Sequence, residues 1–482
     1  MKKNLIGLLV CFFPFFSFSQ PPVVHQPAQL QADFIVLRNA MQEAHGGLYR
    51  FSGKPDWDKR FDDYLKKLNK PMDQREFISL LSALLAETRD GHMRFDYDSL
   101  TAAAMANAKL FPLNVMMEAG RMMVISNDTP DDTIIKPGME ITHINGRSVK
   151  ELIGEIVPNI AGDGFIETGK LRRMERGFAT YYWLFVAQDS VFTITAKDAA
   201  GKMITTTLTG IVIANRRNNR TNNTINAASQ ANIAGLTPKE NVSLRFINDI
   251  PVVSVRSFDA GPDFPVKVDS VMALVQAKKA TVMMLDLRGN GGGADMSGAY
   301  LVTQFTDKPF RYFDRIRVSS IAPSFATWKP ATFENLKNNT LPDPAGAGFL
   351  LTAKQHAGIA EQPASLHPFL GKLVVLTDGI SFSTTADVTA QLRHLTKAVF
   401  VGEETGGAYE GNTSGLDAQI ILPHSKLKFK IQLYEYWNAV PARPNEKGRG
   451  TLPDYPIEKK NAALLLGIDT QLNKAVEVAG KM

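Results

Sequence analysis

Apolar positions recur at helical spacing early in the chain and at strand spacing further on. Phe34, Leu37, Met41 and Ala44 share one helical face, and Phe61, Tyr64, Leu65 and Leu68 repeat that spacing. Asp73 stands where it caps a further helix through Phe77, Leu80, Leu81, Leu84 and Leu85. The pattern predicts a helical domain over residues 32–105, with an Asp90-Gly91 turn leading into His92. Over 106–212 the pattern changes to short strands, Met122–Ile125, Glu140–Ile144 and Ser190–Thr195, interrupted by a helical stretch from Gly162 to Tyr182. Residues 213–238 are dominated by Asn, Arg, Ala and Thr and read as a flexible linker. From 239 to 482 apolar strands alternate with helices: Pro251–Ser254 and Thr281–Asp286 flank a helix near Asp269–Ala277, and Leu373–Leu376, Ala398–Val401 and Gln419–Leu422 follow. That alternation predicts a mainly parallel, layered sheet. The chain is read as an α+β multidomain protein.

The amino terminus has its own pattern. Lys2 and Lys3 precede an apolar stretch from Leu5 to Phe18, and Ser17 and Ser19 come just before Gln20. This is the layout of a secretory signal peptide, residues 1–19, followed by a Pro- and Gln-rich linker over 20–31. The stretch is about 14 residues long and contains Pro14, whereas a spanning helix needs roughly 20, so no stable membrane span is expected after cleavage. Cys11, the single cysteine, lies inside it, which leaves the mature chain without disulfides, a thiol nucleophile or a thiolate metal site. The formal charge of +6 over 482 residues is mild. Arg216, Arg217 and Arg220 sit among asparagines without aromatic partners, a solvated loop and not a nucleic-acid surface.

Four segments have chemical or recognition potential. In Ile135–Val149, Pro137-Gly138 opens a tight turn, alternating residues make a strand, and Asn145-Gly146 closes a hairpin. This segment resembles PDZ domains, which bind peptide carboxyl termini by strand addition. In Val282–Gly293 a buried strand runs into Arg288-Gly289-Asn290-Gly291-Gly292-Gly293. Such a turn presents backbone N–H groups to an anion, or is simply a tight turn, and its spacing fits neither nucleotide fingerprint. In Leu373–Val388 a strand ends at Asp378-Gly379 and a helix follows Ser383. A serine there is either a nucleophile at the positive end of the helix or an ordinary cap. Ala398–Gly407 is a further strand and turn, with Gly402-Glu403-Glu404-Thr405.

In this order the segments resemble the core of the tail-specific, or C-terminal processing, serine protease superfamily (peptidase family S41). The resemblance implies a ClpP/crotonase-like α/β peptidase domain over 239–482, a PDZ-like β domain with a helical insertion over 106–212, and a helical amino-terminal domain. It makes Ser383 the nucleophile, with oxyanion amides from Gly291 and Thr384. Bacterial relatives use a lysine where this chain has Ala408. The tricorn-like branch uses a histidine upstream of the PDZ-like module, a place held here by His92, and a carboxylate near the carboxyl end. Glu446 fits that place first and Glu410 second. Two departures stand out: Ala386 replaces a glutamate in the helix after the nucleophile, and Phe382 and Thr384 flank Ser383 where relatives mostly carry alanine.

The resemblance implies peptide-bond hydrolysis through an acyl-enzyme, with neither metal nor organic cofactor. The expected substrates are peptides or unfolded polypeptides, and the expected location is periplasmic or secreted in a bacterium. Two alternatives stay open, an inactive peptide-binding protein of the same fold and an esterase-like acyl hydrolase. Oligomeric state is not legible.

Overall fold

The computed structural model describes residues 23–259, 261–346 and 348–482. The signal-peptide segment, with Cys11, lies outside them. The 20–31 segment departs from a linker. Val24–His25 pairs with Met72–Asp73, and Pro27 opens a helix that runs to Ala44. Proline suits the first helical position because its missing N–H would be unpaired there anyway.

The helices Pro27–Ala44, Lys54–Lys67 and Gln74–Glu87 bury Phe34, Leu37 and Met41 with Trp57, Phe61, Phe77 and Leu81. Asp73 caps the third of them, accepting the Glu76 N–H at 2.8 Å. Each has an apolar face of a few large side chains, so each is stable only against the others.

The middle of the chain forms an antiparallel sheet in the order Leu113–Glu118, Arg121–Asn127, Glu140–Ile144, Val191–Lys197, Met203–Thr209. Asn145 and Gly146, at φ of 50° and 77°, turn Glu140–Ile144 back onto Arg147–Ser148. Both need left-handed backbone, which is why an Asn-Gly pair sits there. The helix Glu167–Tyr181 lies in the long connection before Val191.

Residues 213–238 are not a flexible linker. Ile213–Asn222 and Ala227–Leu236 are helices, joined by a short turn over Thr224–Asn226. Arg216 and Arg220 both reach the fully buried carboxylate of Asp128 at 2.8 Å. Asn226 exchanges hydrogen bonds with the backbone of Asn127. Polar tertiary contacts order a stretch too poor in apolar residues to announce itself.

The last part of the chain holds two large sheets and a short two-stranded one, Phe310–Arg311 with Glu361–Gln362. The first has the order Val242–Ile247, Ile250–Val255, Val282–Asp286, Lys372–Thr377, Val399–Gly402, Tyr455–Pro456. Its first pair is antiparallel and the rest are parallel. Val252, Met284, Val374, Leu376 and Val401 face Leu472, Ala475 and Val478 of the last helix, while Val253, Leu285, Val375 and Phe400 face the main core. Burial on both faces explains the unbroken apolar runs of these strands. The second sheet is antiparallel, in the order Thr340–Pro342, Phe349–Leu351, Phe313–Val318, Lys428–Asn438, Thr413–Ile421. The Gln419–Leu422 stretch therefore belongs to this sheet and not to the parallel one. Arg94–Asp96 pairs with Lys428–Lys430 and so ties the helical region to it. Among the described residues no helix is long and apolar enough to cross a membrane.

Candidate active site

Two neighbouring parallel strands, Val282–Asp286 and Lys372–Thr377, end side by side, and their following turns meet. Asp378 accepts the Gly289 N–H at 2.9 Å and pairs with Lys459 at 2.7 Å. Burial opposes the Asp378 charge, but Lys459 and that N–H hold its carboxyl well below the usual range. The Ser381 hydroxyl donates to the Leu287 carbonyl at 3.0 Å. These bonds hold the glycine turn against the start of the helix Thr384–Leu395.

Ser383 sits at φ 56°, ψ −132°, a backbone region that disfavours side chains. Holding a non-glycine residue there costs about 1–3 kcal/mol. Its surroundings fix it from two sides. A Cβ on Gly292 would lie 2.7 Å from the Ser383 Cβ, and one on Gly407 would lie 3.0 Å from the Ser383 nitrogen and 2.6 Å from the Ala386 Cβ. Ala386 is buried here, and a longer side chain would collide with that glycine. The Ser383 side chain makes no cap hydrogen bond. The cap reading therefore fails. Instead its Oγ lies 3.1 Å from His92 Nε2.

His92 comes from 291 positions earlier. The strand pairing of Arg94–Asp96 brings it in, and the Phe382 ring lies 4.6 Å from its centroid at a 34° tilt. Phe382 in turn lies under the Arg173 guanidinium, 4.5 Å away. The bulk beside the serine is thus a wall for the imidazole. Below the ring lies Asp90, which accepts the His92 backbone N–H at 2.7 Å and stands 3.1 Å from Nε2 of the fully buried His45. Burial alone would raise the Asp90 carboxyl, but His45 and His92 hold it well below the usual range. Asp163 is buried beside them and accepts the Gly91 N–H at 2.7 Å. Burial pushes its carboxyl up, His92 opposing.

The proposed oxyanion donors are both near the serine. Gly292 N–H is occupied by the Asn290 side chain at 2.9 Å, whereas the Gly291 and Thr384 N–H groups donate to no protein group among the described residues. Gly291 lines the same cleft as His92 and Ser383. Thr384 is the first residue of its helix, and its hydroxyl is spent on Gly293 O and Asp295. These two amides are thus unspent, one on the cleft wall and one next to Ser383 in the chain. The cleft has a volume of about 820 Å³, with Tyr97, Tyr181 and Phe185 on one wall and Asp259 and Asp417 among its polar residues.

Glu446 is not brought to His92. It lies in a short turn, pairs with Arg443 at 3.1 Å and is partly exposed. A loop glutamate with an arginine three residues away is held by that local partner. Glu410, the second choice, offers its backbone carbonyl to Arg50. The carboxylates that do face the imidazole, Asp90 and Asp163, escape a reading by motif. Asp90 lies inside the Asp-Gly-His turn, where the sequence alone marks it as turn chemistry. Asp163, flanked by Gly162 and Gly164, carried no signal beyond that placement. Metal-ligating atoms of Asp90, His92 and Asp163 lie within 4.8 Å of one another. Arg173, hydrogen-bonded to the Gly91 and Ala161 carbonyls, puts a cation beside them. That guanidinium's positive charge works against a cation bound at this donor set.

Residues 249–457 match the model of Peptidase family S41. That span contains Ser383, Gly291 and Thr384 but not His92. No curated protein matches the chain. Among solved structures, mature CPAF is similar with a TM-score of 0.64 at 11% identity, over 94% of this chain and 96% of that one. A serine-to-alanine mutant of CPAF gives a TM-score of 0.68 at 11% identity, over 94% and 97%. At that identity the likeness is one of fold, and it extends across nearly the whole chain.

Proposed function

We propose that the chain is an exported serine-type peptidase that cleaves peptides or unfolded polypeptides through an acyl-enzyme on Ser383. The observation that carries this reading is the 3.1 Å contact between Ser383 Oγ and His92 Nε2, on a strained turn beside two free amides. His92 Nε2 takes the hydroxyl proton as Oγ attacks the scissile carbonyl. The oxyanion forms against the Gly291 and Thr384 N–H groups, each such donor being worth about 3–4 kcal/mol. His92 then returns the proton to the leaving amine, and a water molecule repeats the cycle on the ester. The match of residues 249–457 to a peptidase family supports the peptide as substrate.

The base in this reading is a histidine and not a lysine, as in the tricorn-like branch, since Ala408 leaves no amine after Gly406-Gly407. The middle sheet with its Asn145-Gly146 hairpin serves as a PDZ-like module for polypeptide ends. Lys2, Lys3 and the apolar stretch after them direct export to the periplasm or beyond.

Fluorophosphonate labelling followed by peptide mapping tests the reading. The adduct is expected on Ser383 and absent in Ser383→Ala, with an unchanged melting temperature. Folded wild-type protein that takes no label favours a peptide-binding protein, and exclusive cleavage of esters favours an acyl hydrolase. His92→Ala is expected to lower turnover by 10³-fold or more, measured on a quenched peptide library.

A further inference from the structure

We infer that Asp163, and not Glu446, is the carboxylate that orients His92 for its work on Ser383, an inference that rests on the serine-hydrolase reading above. For Nε2 to accept the Ser383 hydroxyl, the neutral ring must carry its hydrogen on Nδ1. That Nδ1 is buried and has no hydrogen-bond partner. A buried N–H without an acceptor is costly, so an acceptor must stand close by.

Two carboxylates compete for the role. Asp90 is the nearer to Nδ1, with Oδ1 at 3.7 Å, but that distance is no hydrogen bond and the same oxygen already accepts the His92 backbone N–H. Its other oxygen faces His45. Asp90 Oδ2 is 3.1 Å from His45 Nε2, without a hydrogen bond, and is no nearer Nδ1 than Oδ1 is. Asp163 has one oxygen on the Gly91 N–H at 2.7 Å, while its Oδ2 is buried and unpartnered. One ligand atom each of Asp163, Asp90 and His92 fall within 4.8 Å of one another. An orphan donor and an orphan acceptor share one dry pocket. Asp163 forms no ion pair with the ring as it stands, so the imidazole has to turn towards it within this pocket to pair the two orphans.

The surroundings suit the role. Asp163 grips the residue just before His92, so one carboxylate sets both the backbone and the ring. Arg173 binds the carbonyl of the same Gly91 at 2.7 Å and covers Phe382, which closes the other side of the ring. The charged and titratable groups around His92 are therefore Asp90, Asp163, His45 and Arg173. Burial favours the neutral form of Asp163, and the positive charge that develops on His92 during attack draws it back to the anion. Its help is greatest when the imidazolium forms.

Asp163 is a positioning residue, and the test must separate that from mere support of the fold. In the full-length wild-type chain, proton–nitrogen NMR of the His92 ring is expected to show a downfield Nδ1–H. That resonance is expected to vanish in Asp163→Asn and persist in Asp90→Asn. Kinetically, Asp163→Asn should lower kcat about 10²- to 10⁴-fold with KM little changed. It should also move the acid limb of kcat/KM to lower pH, because His92 loses the anion that holds its proton. Asp163→Glu should recover part of both. A folded Asp163→Asn protein with wild-type kcat and acid limb overturns the inference, and so does loss of the resonance in Asp90→Asn alone. Absence of fluorophosphonate label on wild-type Ser383 overturns the hydrolase reading instead, while the NMR arm still reports on the His92–Asp163 pair.

Discussion

Two buried acids flank Ser383, one on the side of the imidazole and one in the helix behind the serine, and they are held in opposite states. Asp90 is about as inaccessible as Asp387, at 3% and 1% exposure. Burial raises both carboxyls, but Asp90 has two imidazoles beside it and ends well below its ordinary range. Asp387 has the neutral amides of Asn438 and Asn412, the latter at 3.4 Å from each oxygen, and burial with the nearby charges of Asp295 and Asp163 outweighs them and Arg50, so it ends well above it. Depth does not set the charge; the partners do. The outcome suits the proposed chemistry. An anion near the imidazolium supports proton transfer, whereas a second anion one turn below Thr384 would oppose the oxyanion.

The strongest way to break this contrast is to remove the ionised member. Asp90→Asn strands His45 beside an amide, and loss of about 3 kcal/mol is expected in urea unfolding at neutral pH. The pH dependence sharpens the point. A carboxyl whose folded pKa is lowered adds stability that is full above its unfolded value near 4, and this is lost as pH falls towards the folded value. The variant should lack that acid-side fall. The smallest effect is expected on the other side. Asp387→Asn replaces a carboxyl that burial pushes towards its neutral form with an amide of the same shape, so neutral-pH stability should change by less than about 1 kcal/mol. Here the sign reverses. A carboxyl with a raised folded pKa adds stability at low pH that declines as pH climbs above the unfolded value near 4. Asp387→Asn should flatten that decline, and a large loss of stability at pH 7 would mean that the acid is ionised after all.

The sequence disclosed the parts of this site that local chain geometry determines. Ser383 and the glycine turn each follow a strand end, and an apolar run interrupted by glycine is visible without any tertiary knowledge. His92 was legible from the Asp-Gly turn before it and from family resemblance. The third member was not, because no local rule chooses between Glu446, Asp90 and Asp163. That choice depends on where a loop from another region settles, and Glu446 settles on Arg443. The same reason explains the misread helices at 213–236. Their apolar content is low, and what orders them is a carboxylate, Asp128, some ninety positions earlier. The long strand Lys428–Asn438 was hidden for a different reason. It is buried for most of its length yet carries lysine, glutamine and glutamate, so it lacks the clean apolar run of its parallel neighbours.

The pairing of Arg94–Asp96 with Lys428–Lys430 has a consequence for how the protein is made. The strand partner that delivers His92 is synthesised more than three hundred residues after it. A nascent chain on the ribosome therefore holds the imidazole long before it holds the groups that would make it dangerous. In the proposed mechanism the Ser383–His92 pair therefore waits on a contact of high sequence separation, the slowest kind to close.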